Sequence, residues 1–136
     1  MGVCSTLKGT NSLHIGLKDA SITAFRNSIP LYAMVGVVHN VTFEPGCRNN
    51  WHVHHASEGG GQILVCVAGH GYYQEWGKDV VKMKPGDCIN IPTGVKHWHG
   101  ATPDSWFSHL AIEVPGKDGS NEWLEEVSNE QYLNLK

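Results

Sequence analysis

Residues 62–78 read Gln62-Ile63-Leu64-Val65-Cys66-Val67-Ala68-Gly69-His70-Gly71-Tyr72-Tyr73-Gln74-Glu75-Trp76-Gly77-Lys78. An apolar, β-branched run stops at a glycine-rich break; a second run rich in aromatic residues follows and stops at another glycine. Short strands separated by turns have this signature. The pattern extends in both directions. Upstream, residues 35–43 stop at Glu44-Pro45-Gly46, and residues 51–54 precede the Gly59-Gly60-Gly61 loop. Downstream, Lys84-Pro85-Gly86-Asp87 opens the run 88–91, which stops at Pro92-Thr93-Gly94. From about residue 31 to residue 114 the chain predicts an all-β sandwich or barrel rather than alternating β–α units.

The flanks read differently. Residues 121–127 and 128–131 predict one or two short helical turns, and Ser128 with Gln131 has the spacing of a capping box. Residues 1–30 carry no motif, and the expectation there is an edge strand that packs on another subunit. At 136 residues the chain fits one domain spanning 1–136, with the barrel core at about 35–114. A net charge of −3, with 17% charged residues and no basic run, argues against nucleic-acid binding. There is no membrane-length apolar stretch and no signal-peptide core, so the expected location is cytoplasmic. Cys4, Cys47, Cys66 and Cys88 show no CxxC spacing and are expected to be four reduced, structural thiols.

Four of the nine histidines fall in two His-x-His pairs, Trp51-His52-Val53-His54 and Lys96-His97-Trp98-His99. Side chains alternate along a strand, so His52 and His54 share a face, as do His97 and His99, while Trp98 points the other way. Two such pairs on a small β-rich chain point to a transition-metal site. In Ser108-His109-Leu110-Ala111-Ile112-Glu113-Val114 the same alternation places His109, Ala111 and Glu113 together, with the aliphatic residues opposite.

These motifs resemble the cupin superfamily. The first cupin motif is matched by Gly46, His52, His54, Gln62 and Gly69, and the second by Pro85-Gly86-Asp87, Pro92-Thr93-Gly94 and His97. Residues 41–46 and 96–101 resemble the small single-domain cupins related to carboxymuconolactone decarboxylase-associated cupins and to manganese cupin hydroxynitrile lyases. The resemblance implies a double-stranded β-helix, a jelly-roll barrel, here with a short helical C-terminal tail. It implies one divalent transition metal held by His52, His54, His97 and a fourth ligand. Gln62 takes that place where the subgroup's glutamine precedes an apolar strand, and Glu58, in the glycine-rich loop, is the alternative. By the same resemblance His109 lines the cavity as a general acid or base; strand alternation adds His99 and Glu113 as further candidates.

Three imidazoles and an amide oxygen are neutral, so a divalent ion among them would keep a site charge of +2, against +1 with a carboxylate. That suits stabilisation of an oxyanion. The expected function is a metal-dependent lyase, decarboxylase or isomerase acting on a small organic acid, phenolic or carbonyl compound. Two further readings stay open: a metal-dependent dioxygenase, and a non-catalytic small-molecule binding or sensing module. Mn, Fe, Ni and Zn fit the donors better than Ca or Mg. Exposed strand edges in a small sandwich make a homodimer the expected assembly.

Overall fold

The computed structural model describes residues 37–135. The strand expected within residues 1–30, and Cys4, lie outside the described residues. Among the described residues eleven strands and one helix follow in order: β1 (Val38–Phe43), β2 (His52–His55), β3 (Glu58–Gly59), β4 (Gln62–Gly69), β5 (Gly71–Glu75), β6 (Val81–Met83), β7 (Cys88–Ile91), β8 (His97–Ala101), β9 (Phe107–Glu113), β10 (Gly116–Lys117), β11 (Ser120–Trp123) and α1 (Asn129–Leu133). They form a four-stranded sheet in the order β1-β9-β4-β7, a five-stranded sheet in the order β11-β2-β8-β5-β6, and a small β10-β3 ribbon. All pairings are antiparallel. This is the double-stranded β-helix that the resemblance implied, within the all-β class that the strand and turn pattern predicted.

Alternation decides what each strand buries. In β4, Gln62, Leu64 and Cys66 are buried while Ile63 and Val65 are only half-buried on the other face. In β9, Phe107, His109 and Ala111 are buried in the same way. The core between the sheets joins Phe43, Leu64, Cys66, Ile91, Phe107 and Ala111 of the first sheet to Tyr73, Met83 and Ala101 of the second. Removing this apolar surface from water is the main favourable term holding the sheets face to face.

A second cluster, Trp51, Trp98, Val127 and Tyr132, lies on the outer face of the five-stranded sheet under the C-terminal helix. Trp98 faces away from its histidine neighbours as alternation requires, and its indole N–H donates to Gln74 Oε1 at 2.9 Å. Ser128 and Gln131 form the expected capping box. The helical expectation fails just upstream: residues 120–123 form strand β11, paired with β2. Pairing satisfies backbone groups along the open edge of β2, which outweighs the weak local helical signal. The thiols of Cys66 and Cys88 are free, whereas Cys47 is disulfide-bonded, which corrects the expectation of four reduced cysteines. No helix among the described residues is long and apolar enough to cross a membrane.

Tyr132 ties the helix to the barrel. Its hydroxyl donates to Ala101 O at 2.7 Å, its ring meets Trp98, and the Arg48 guanidinium lies 4.4 Å above it. Tyr132→Ala is expected to lower the unfolding free energy by about 3 kcal/mol. In urea denaturation this should move the midpoint and leave the slope unchanged.

Candidate metal centre

Strands β2 and β8 run side by side with His52 directly opposite His97. His54 lies two residues on, on the same face of β2, so three imidazoles converge. One nitrogen from each of His52, His54 and His97 lies within 4.8 Å of the others, and all three residues are buried. Their ring centroids are 4.1 Å apart for His52–His97, 5.3 Å for His52–His54 and 5.4 Å for His54–His97.

Hydrogen bonds decide which nitrogens are available. His52 Nδ1 lies 2.9 Å from Asn50 O, His97 Nδ1 lies 2.9 Å from Val95 O, and His54 Nδ1 lies 2.6 Å from Asn121 Oδ1. Each partner is an oxygen that only accepts, so each Nδ1 carries the proton and each Nε2 keeps its lone pair. The Nε2 atoms of His54 and His97 are buried without a hydrogen-bond partner. So is Oε1 of Gln62, which sits on the core-facing side of β4 with Leu64 and Cys66. Gly61 places that side chain. Its φ is +99°, and a Cβ there would lie 2.3 Å from Ile91 O, so only glycine allows this close turn into β4.

Burial pushes His52 down to about 3, with the neighbouring His97 adding to the shift, and pushes His97 down to about 4. Both are neutral at physiological pH, the form in which imidazole ligates metals. Buried acceptors, two of them on imidazoles whose far sides are tied to oxygens, suit a divalent transition metal.

Beyond the triad lie two further buried imidazoles. The His99 ring stands 5.4 Å from that of His52 and 4.7 Å from that of His109, perpendicular to both. Burial and the surrounding histidines hold His99 well below its ordinary value. His109 belongs to the opposite sheet, its ring near-parallel to those of Phe43 at 5.8 Å and Phe107 at 4.7 Å, and both its nitrogens lack a partner among the described residues. Burial lowers it to about 4.

The remaining sequence candidates are placed apart from the triad. Glu58 is 78% exposed, 3.9 Å from Lys117 Nζ. Glu113 shares the face of His109 but is half-exposed at the strand end, where it pairs with His39 at 3.8 Å. Sequence reasoning missed His39, Asn121 and Asn49. His39 was legible by alternation with Val41 and Phe43; Asn121 fell within an expected helical turn, and Asn49 lies in no motif. Trp123, also missed, leans 4.7 Å from the His52 ring and is 61% exposed.

The Cupin_2 family model, a cupin domain, matches residues 39–112. This chain belongs to the cupin family. The cupin is 43% identical over 93 residues to "(R)-mandelonitrile lyase" of Granulicella tundricola, covering 68% of each chain. It is 42% identical to a cupin-like protein of Thermotoga maritima, with a TM-score of 0.63, covering 73% of this chain and 71% of that one. It shares the fold alone with the DMSP lyase DddQ of Ruegeria pomeroyi, at 17% identity and TM-score 0.55, over 68% of this chain and 45% of that one.

A pH dependence follows from His109. The unfolded chain protonates this side chain near 6.5, whereas the folded chain resists until about 4. Stability is therefore full above pH 6.5 and is lost as pH falls towards 4, at about 1.4 kcal/mol per pH unit for this one group. In metal-free protein, His109→Phe, which keeps an aromatic ring against Phe43 and Phe107, is expected to make that slope shallower by about this amount. Urea unfolding at pH 6 and pH 5 measures it.

Proposed function

We propose that this cupin is a divalent-metal-dependent lyase that cleaves a bond beside a hydroxyl-bearing carbon in a small substrate, leaving a carbonyl product. His52, His54, His97 and Gln62 would hold the ion, and His109 would move the proton. The observation that carries the reading is the set of buried, unpartnered acceptors, His54 Nε2, His97 Nε2 and Gln62 Oε1, beside a fifth imidazole with no partner at all. The 43% identity to a protein named as a lyase supports the reaction class.

With four neutral donors, a bound divalent ion keeps its full charge and supplies electrostatic stabilisation to an oxygen on which negative charge develops. The chain's own residues account for the rest. His109 is neutral at pH 7 and takes the substrate hydroxyl proton onto a ring nitrogen. The O–H electron pair becomes the second bond of the carbonyl, and the bond to the leaving group breaks with its pair. The proton held by His109 then passes to that leaving group, so the imidazole returns to its starting form. Phe43 and Phe107 pack against the buried His109 ring and keep water from it. Glu113 and His39, half-exposed on the core-facing side at the strand ends, would line the entrance.

Elemental analysis of freshly purified protein tests the metal reading. Close to one divalent transition metal per chain is expected, with essentially none in His52→Ala/His97→Ala. Glu58→Gln should match the wild type, and Gln62→Ala should bind more weakly. An empty wild type that also refuses Mn, Fe, Ni and Zn would overturn the reading. For the chemistry, His109→Phe is expected to keep the metal and lower turnover of α-hydroxynitriles or related hydroxy compounds by about 10²–10⁴-fold. Turnover should persist without oxygen; strict oxygen dependence would instead indicate a dioxygenase.

A further inference from the structure

We infer that the outward face of the four-stranded sheet is the surface on which two copies of this chain pair. Antiparallel register lays that face out in rows. Val38, Ile112, Ile63 and Asn90 form one row, and Asn40, Leu110, Val65 and Cys88 form the next. Thr42 and Ser108, joined by a 2.7 Å hydrogen bond between their hydroxyls, begin a third. Alternation turns all of these away from the core, since their neighbours Leu64, Ile91, His109 and Ala111 are the buried ones. Ile63, Val65, Leu110 and Ile112 thus make an aliphatic block at the centre, ringed mostly by amides, hydroxyls and a thiol.

An antiparallel sheet with one solvated face normally carries polar residues there. β4 and β9 instead put an aliphatic layer on each side. Leu64 and Ala111 lie in the core, while the four residues of the block are half-buried and belong to neither core cluster. The five-stranded sheet shows how such a face is finished: Val127 and Tyr132 of the C-terminal segment pack over Trp51 and Trp98 on its outer side. Neither cluster holds a described residue that covers the four-stranded sheet in that way.

The chemistry of the face selects its occupant. None of the outward positions on β1, β9, β4 and β7 is charged, so an acidic or a basic partner would find no counter-charge. A second copy, related by a two-fold axis, sets the same patch against itself. Rows of lysine or glutamate would repel in that arrangement, whereas aliphatic side chains pack. Asn40, Asn90, Thr42 and Ser108 each carry both a donor and an acceptor, so each can hydrogen-bond to an identical group. An aliphatic centre free of charge inside a polar rim is the anatomy of an interface between copies of one chain.

Sedimentation equilibrium of the full-length protein at micromolar concentrations tests this. The wild type should have twice the chain mass. Leu110→Glu places like charges within the paired faces and should raise the dimer dissociation constant at least about a hundredfold, with the circular dichroism spectrum unchanged. Cys88, a free and exposed thiol on this face, gives a readout that needs no variant. Iodoacetamide should modify it more slowly in the dimer than in protein diluted until it sediments as a monomer. A wild type that is monomeric at micromolar concentration overturns the inference and assigns the face to another occupant. So does a dimer that persists in folded Leu110→Glu, or one in which Cys88 reacts at the dilute rate. Where Leu110→Glu fails to fold, the Cys88 rates decide.

Discussion

The structure depends on the fixed protonation of three buried imidazoles. Asn50 O, Val95 O and Asn121 Oδ1 each claim an Nδ1 proton, so three Nε2 lone pairs are turned towards one another in a region with little water. Nothing among the described residues satisfies those of His54 and His97. A buried acceptor left without a donor costs on the order of 1–3 kcal/mol, a large share of the net stability of a domain this size. A sequence keeps such a cost where a positive charge relieves it. The barrel tolerates it because the apolar core between the sheets, from Leu64 to Phe107, is continuous and nearly fully buried.

The two sheets divide the work. The five-stranded sheet presents His52, His54, His97 and His99 on one face and rests its other face, through Trp98, on the C-terminal helix. The four-stranded sheet brings Gln62 from one end of its β4–β9 pairing and His109 from further along it, opposite Cys66. His109 therefore sits on a different sheet from His52, His54 and His97. The arrangement also explains why neutral donors matter. With no carboxylate among the converging groups of the described residues, His52 and His97 stay uncharged because burial disfavours their protonated forms, and the field of a bound cation would remain undiluted.

Much of this was written locally. Period-two alternation placed His52 with His54, Gln62 with Leu64 and Cys66, His109 with Ala111, and Trp98 on the opposite face, because side-chain direction along a strand is a property of the strand alone. The Gly and Pro breaks marked where strands end, and Ser128 with Gln131 marked where the helix begins. What alternation cannot say is which strands become neighbours. β11 was read as helix because its four residues hold no periodic signal strong enough to outweigh local propensity; only the open edge of β2 makes it a strand. That pairing brings Asn121 to His54 across 67 residues, as the packing of residues 47–49 on β8 brings Asn49 to His99 across 50. The sequence by itself determined the strands, their buried faces and the histidines that could converge. Only the tertiary structure decided which nitrogen of each ring is free, because a tautomer is set by whatever oxygen or amide the fold places against it.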